Sequence, residues 1–109
     1  MPRARTPTPV SVQRALAALG EDAATWRRLR RLTVAQVADR AGVSPATVVS
    51  LEHGRGTSLE NTLRIARALG VLDSLVHSID PYETDVGRLR ADEALPQRVR
   101  HPRPTKASE

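Results

Sequence analysis

The chain has 109 residues, no cysteine, one Trp, one Tyr and no Phe, and a formal net charge of +5. That length allows one core without staples, and the lack of cysteine excludes a disulfide framework and a zinc finger. No apolar run reaches the length of a signal peptide or membrane span, so the cytoplasm is the expected compartment, and the scarcity of rings disfavours a platform that stacks single-stranded bases. Duplex DNA suits the composition better.

The charge is unevenly placed. Residues 1–10 hold two Arg and no acid, residues 11–79 nine Arg and six acids, and residues 80–109 six bases and six acids, giving excesses of +2, +3 and 0. Positive charge therefore gathers where a phosphate-binding face needs it.

Residues 1–10 read as a flexible basic arm, with three prolines among small and basic residues. From Ser11, the expected N-cap, Val12, Leu16, Leu19, Ala23 and Trp26 recur at steps of four and three, one stripe of a helix. Gly20 interrupts the stripe and marks either a bend or the join of two helices. Trp26 is in phase with the stripe and is expected in the core. Arg27, Arg28, Arg30 and Arg31 then fall where the helix dipole favours cations.

Residues 34–53, VAQVADRAGVSPATVVSLEH, carry the strongest pattern in the chain. Val37 and Ala38 face inward on one short helix, and Gly42 sits where a tight turn needs positive φ. Val43 plugs the corner, Ser44 caps the next helix, and Pro45 takes its first position, where a missing N–H is harmless. Val48 and Leu51 return to the core, leaving Ala46, Thr47, Val49, Ser50 and His53 outside. This is the pattern of a helix-turn-helix.

The loop Gly54-Arg55-Gly56-Thr57 follows, then Ser58 as the cap of a fourth helix with Leu59, Thr62, Leu63, Ala66 and Leu69 on one face and Gly70 as its stop. A short fifth helix from Asp73, with Leu72, Leu75, Val76 and Ile79 apolar, ends at Pro81. Residues 81–109 read as an extended or partly disordered tail. The expected architecture is all-α: a compact bundle of about five helices over residues 11–80, with flexible tails.

The stretch LTVAQVADRAGVSPATVVSLEHGRG resembles the XRE, or lambda-repressor-like, family of helix-turn-helix regulators, and the likeness runs over roughly residues 19–79. Leu32-Thr33, Ala41-Gly42-Val43-Ser44, Thr47-Val48, Leu51-Glu52, Gly54, Ile65-Ala66 and Ala68-Leu69-Gly70 carry it. The resemblance implies a DNA-binding repressor that acts as a dimer on double-stranded DNA, with the helix that begins at Ser44 in the major groove. Base-facing positions would be Ser44, Pro45, Ala46, Thr47, Val49 and Ser50. Phosphate contacts are expected from Arg55, on its glycine-flanked loop, and from Gln36, Thr33, Arg27 and Arg31, with Arg3 and Arg5 as a minor-groove arm. In the family the C-terminal helix often packs on a second copy, which assigns Leu72, Leu75, Val76 and Ile79 to a homodimer contact.

The sequence departs from the family's pattern at Val34, Pro45 and Ser50, where Gln or Arg is frequent, so no bidentate base reader is present on the outward face. DPYETDVGRLR and LPQRVR resemble the C-terminal extension of XRE-type antitoxins that pair with HipA-like kinase toxins; Val86, Leu89, Arg90, Leu95 and Val99 would then bind the toxin. The alternative is a protein-interaction module whose helix-turn-helix is degenerate and whose tail binds a partner enzyme.

No enzyme signature emerges. His53, His77 and His101 are widely spaced with no ligand set around them, and Gly54-x-Gly56 lacks the strand and Gly-Lys ending of a phosphate loop. Neither a metal nor another cofactor is expected.

Overall fold

The computed structural model describes residues 6–91 and 93, and the chain divides into two units, the first ending at Ser78 and the second starting at Ile79. The first unit holds α1 (Val10–Leu29), α2 (Val34–Ala41), α3 (Pro45–Glu52), α4 (Leu59–Leu69) and α5 (Leu72–Ser78). The second holds a 3₁₀ turn, Pro81–Glu83, and α6 (Asp85–Leu89). No strand occurs among the described residues. Arg3, Arg5, Leu95 and Val99 lie outside them.

The core forms where α2, α3 and α4 meet. Val37, Val48 and Ile65 are almost wholly enclosed, and Leu32, Ala38, Ala41, Leu51 and Leu69 surround them, with Val43 packed on the edge as the corner plug. Each large aliphatic taken out of water there contributes roughly 1.5–3 kcal/mol. The turn between α2 and α3 depends on Gly42, whose φ of 71° is left-handed; its neighbour Val43 donates its N–H to the Ala38 carbonyl at 3.0 Å, closing the end of α2.

α1 departs from expectation in four ways. It starts at Val10, one residue before Ser11, and Pro9 accepts the first free amides, from Val12 and Gln13, through its carbonyl alone. It runs unbroken through Gly20. The expected stripe is buried only in part: Ala23 lies in the core and Leu16 is half-buried, but Val12 and Leu19 are exposed, and Gly20 and Ala24, outside the stripe, are buried. Trp26, expected in the core, is 39% exposed. One geometric fact explains which face is buried. A Cβ on Gly20 would overlap the Leu51 carbonyl oxygen and stand 2.7 Å from that of Glu52, so α1 crosses the end of α3 at a separation only small residues permit. The bulky side chains are displaced to the flank. There Trp26 is covered by the Arg30 guanidinium, 5.2 Å from the ring centroid, and Arg30 also donates to the Leu69 carbonyl at 3.0 Å.

α4 is capped by Ser58, which accepts from the Asn61 amide at 3.1 Å, and is stopped by Gly70 at φ 81°. Its buried face is Ile65, Ala66 and Leu69; Leu59, expected inward, is 73% exposed because it sits in the first turn, before the helix reaches the core. α5 buries none of its residues fully: Leu72 and Leu75 are half-buried and Val76 is exposed. In the second unit the first residues of the stretch read as an extended or partly disordered tail carry helical structure, since Asp80 accepts from the Tyr82 amide at 2.9 Å and Thr84 from the Gly87 amide at 3.1 Å. Two successive side-chain caps give these short turns their start.

Candidate nucleic-acid interface

α3 is built so that one side is locked and the other bare. Ser44, extended at φ −78° and ψ 153°, accepts from the Thr47 amide at 3.2 Å, and its hydroxyl also meets that of Thr47 at 2.9 Å. Val48 and Leu51 anchor the inner side. Of the expected base-facing residues, Ser44, Pro45 and Ala46 are exposed at the helix start, while Thr47, Val49 and Ser50 are half-buried. The open N-terminal turn thus presents a hydroxyl already engaged in capping, a proline ring and a methyl group. That surface suits apolar contact with a thymine methyl better than paired hydrogen bonds to a base edge.

Thr33 and Gln36 form a capping box at the start of α2. The Thr33 hydroxyl accepts from the Gln36 amide at 3.1 Å, and the Gln36 side-chain oxygen accepts from the Thr33 amide at 2.9 Å. This arrangement leaves the Gln36 side-chain nitrogen as an outward donor. Arg55 is exposed between Gly54 at φ 75° and Gly56 at φ 86°, and its amide donates to the Ser50 carbonyl at 2.9 Å, so the loop is tied to the helix it follows. Beyond the loop Asn61 donates to the Thr57 hydroxyl at 3.2 Å, which ties the start of α4 to the residue after Gly56.

Arg27 has a different place from the expected one. Its Nε and Nη2 donate to the two carboxylate oxygens of Glu52 at 2.7 and 3.2 Å, and Nη1 donates to the Leu32 carbonyl at 3.1 Å. The carboxylate raises the Arg27 pKa above its ordinary value, by hydrogen bonding first and charge second, against the opposing effect of desolvation. With the guanidinium spent inside the fold, Arg27 is a tie between α1 and the end of α3 rather than an outward phosphate ligand. No local pattern announces this pair, whose members are far apart in sequence. Arg31 stays exposed at the α1 exit, with φ at 58°.

A buried-faced α3 set across α2 through a left-handed glycine, with its first turn open to solvent, defines a helix-turn-helix of the DNA-binding kind. Residues 24–73, a little under half of the chain, match the family model described as Helix-turn-helix, which supports the XRE, or lambda-repressor-like, likeness of that segment. No curated protein and no solved structure matches the chain. The coarse function follows: a DNA-binding transcriptional regulator. Among the described residues no helix is long and apolar enough to cross a membrane.

Proposed function

We propose that the protein is a repressor that binds duplex DNA as a homodimer, laying the start of α3 in the major groove. The observation that carries this reading is the first turn of α3, which stands open to solvent while Val48 and Leu51 lock the helix into the core; the exposed Thr33–Gln36 capping box and the exposed, glycine-flanked Arg55 support it. In this reading Ser44, Pro45, Ala46, Thr47, Val49 and Ser50 face bases. Gln36, Thr33, Arg31 and Arg55 hold phosphates, and Arg3 and Arg5 reach the minor groove. Because the base-facing set is short-chained, specificity rests largely on methyl contacts and DNA shape.

A mobility-shift assay with the DNA upstream of the protein's own gene tests the reading. Retardation by the protein alone is expected, with a footprint of two half-sites about 34 Å apart. A footprint without that spacing counts against the two-fold arrangement. In the same assay Arg55→Ala weakens all sequences alike and lowers the salt slope by about 0.9.

A second reading draws support from the second unit, where Val86 and Leu89 are exposed on α6, at 68% and 84%, beside Arg90. An apolar pair on a capped helical turn is a surface suited to a protein partner, and an antitoxin role toward a HipA-like kinase would use it. If the shift requires the neighbouring gene product, the partner-binding module is the better description.

A further inference from the structure

α1 begins fourteen residues before the segment that matches the family, and its early turns lie against the far end of α3 and the loop beyond it. Three close approaches define this contact. A Cβ on Gly54 would stand 2.9 Å from the Ala17 Cα and 3.2 Å from its amide nitrogen. One on Gly56 would stand 3.6 Å from the Leu16 Cδ2, and one on Gly20 would overlap the Leu51 carbonyl oxygen. Ala17, Gly20, Ala24 and Arg27 fall at steps of three, four and three, so a single face of α1 runs from the loop to the Glu52 ion pair. Gly54 and Gly56 both hold positive φ, and among the described residues the exposed Arg55 between them is held by its amide bond to Ser50, with no side-chain hydrogen bond or ion pair.

We infer that the early turns of α1 are a positioning strut for Arg55, with Leu16 and Ala17 as the positioning residues. A loop with left-handed glycines on both sides of one residue has many conformations open to it, and fixing one of them costs conformational entropy. Ala17 blocks the loop from moving toward α1, and Leu16 fills the space under Gly56. The guanidinium at Arg55 therefore starts from a restricted volume when DNA arrives, and less entropy is lost on contact. Without the strut the charge remains but its placement is lost. This inference rests on the phosphate contact proposed for Arg55.

The test is a double-mutant cycle on DNA affinity against salt, using Leu16→Ala and Arg55→Ala singly and together, in the full chain and on one duplex. Thermal melts followed by circular dichroism confirm that each variant is folded at the binding temperature. Leu16→Ala is expected to weaken binding about threefold and to lower the salt slope by part of the 0.9 unit assigned to Arg55. In the Arg55→Ala background it is expected to do neither, and Leu16→Met restores the native slope. Leu16→Val, which is too short to reach Gly56 and milder for folding, repeats the cycle if the alanine variant melts too low. Equal losses from Leu16→Ala with and without Arg55 overturn the strut and leave the phosphate contact standing. An unchanged slope in Arg55→Ala alone overturns both.

Discussion

Arg27 and Glu52 retain side-chain exposures of only 16% and 11%, so each is held largely out of water with the other as its compensation. Removing one partner strands the second. Arg27→Ala is accordingly expected to lose about 2 kcal/mol, less than a fully buried pair loses because both residues are only partly buried, in a urea unfolding titration. The double variant Arg27→Met with Glu52→Leu should lose less than Arg27→Ala, because no lone charge is left. A double variant that is the weaker of the two would mean that the pair contributes more than its desolvation costs. Glu52 raises the Arg27 pKa, so the stability contributed by the cation is complete below the unfolded-state value and disappears only as pH climbs through the raised one, far into alkali. Arg31 poses the opposite problem. Its φ of 58° costs a residue with a Cβ about 1 kcal/mol that glycine would not incur. Arg31→Gly should therefore raise the melting temperature, by a few degrees at most since glycine also loosens the unfolded chain. The same variant lowers the salt slope of DNA binding only if Arg31 touches phosphate, which makes the two roles separable in one protein.

At the scale of elements, the crossing of α1 over α3 is set by atoms that are not there. Gly20→Ala places a methyl group inside the radius of the Leu51 carbonyl oxygen, which is backbone and cannot swing aside. The helices must part, and a loss of about 3 kcal/mol or more is expected even though alanine favours the helix itself by about 1 kcal/mol. A thermal melt that moves upward would show that the crossing is looser than its geometry indicates. This position also shows what the sequence makes legible. The turn from Ala41 to Pro45 is written in residues whose local chemistry has one use each, a left-handed glycine, a capping serine and a first-turn proline, and the structure places all three as read. The buried face of α1 was not legible in the same way, because hydrophobic periodicity follows large side chains, whereas this contact selects small ones. Val12, Leu19 and Trp26 mark the flank, and Gly20 and Ala24 mark the interface. The Arg27–Glu52 tie escaped for a related reason: it joins distant segments, and neither residue differs locally from an ordinary surface charge. In the second unit two polar caps, Asp80 and Thr84, are local signals that outweigh a composition typical of tails.

For the molecule as a whole, the first unit carries an apolar groove of about 270 Å³ between α1, α4 and α5, lined by Leu19, Trp26, Leu69 and Leu75. Val76, exposed at 58% on α5, is the outward apolar residue available to a second copy without disturbing the core. Leu72 and Leu75 are half-buried against the rest of the unit and would confound the question. Val76→Asp is therefore the informative change: an exposed substitution of this kind alters monomer stability by about 0.5 kcal/mol or less, while a carboxylate at the centre of an apolar contact carries an uncompensated desolvation cost. Sedimentation equilibrium of the native protein should give twice the 11.9 kDa chain mass, and the variant should give the single mass. On DNA the two proteins should bind an isolated half-site equally, since no groove or phosphate contact has changed. On a site with both halves the native protein should bind more tightly, because the second contact becomes intramolecular once the first is made. Loss of half-site affinity in Val76→Asp would place α5 at the DNA rather than between protomers, and an unchanged dimer mass would move the two-fold contact to another surface.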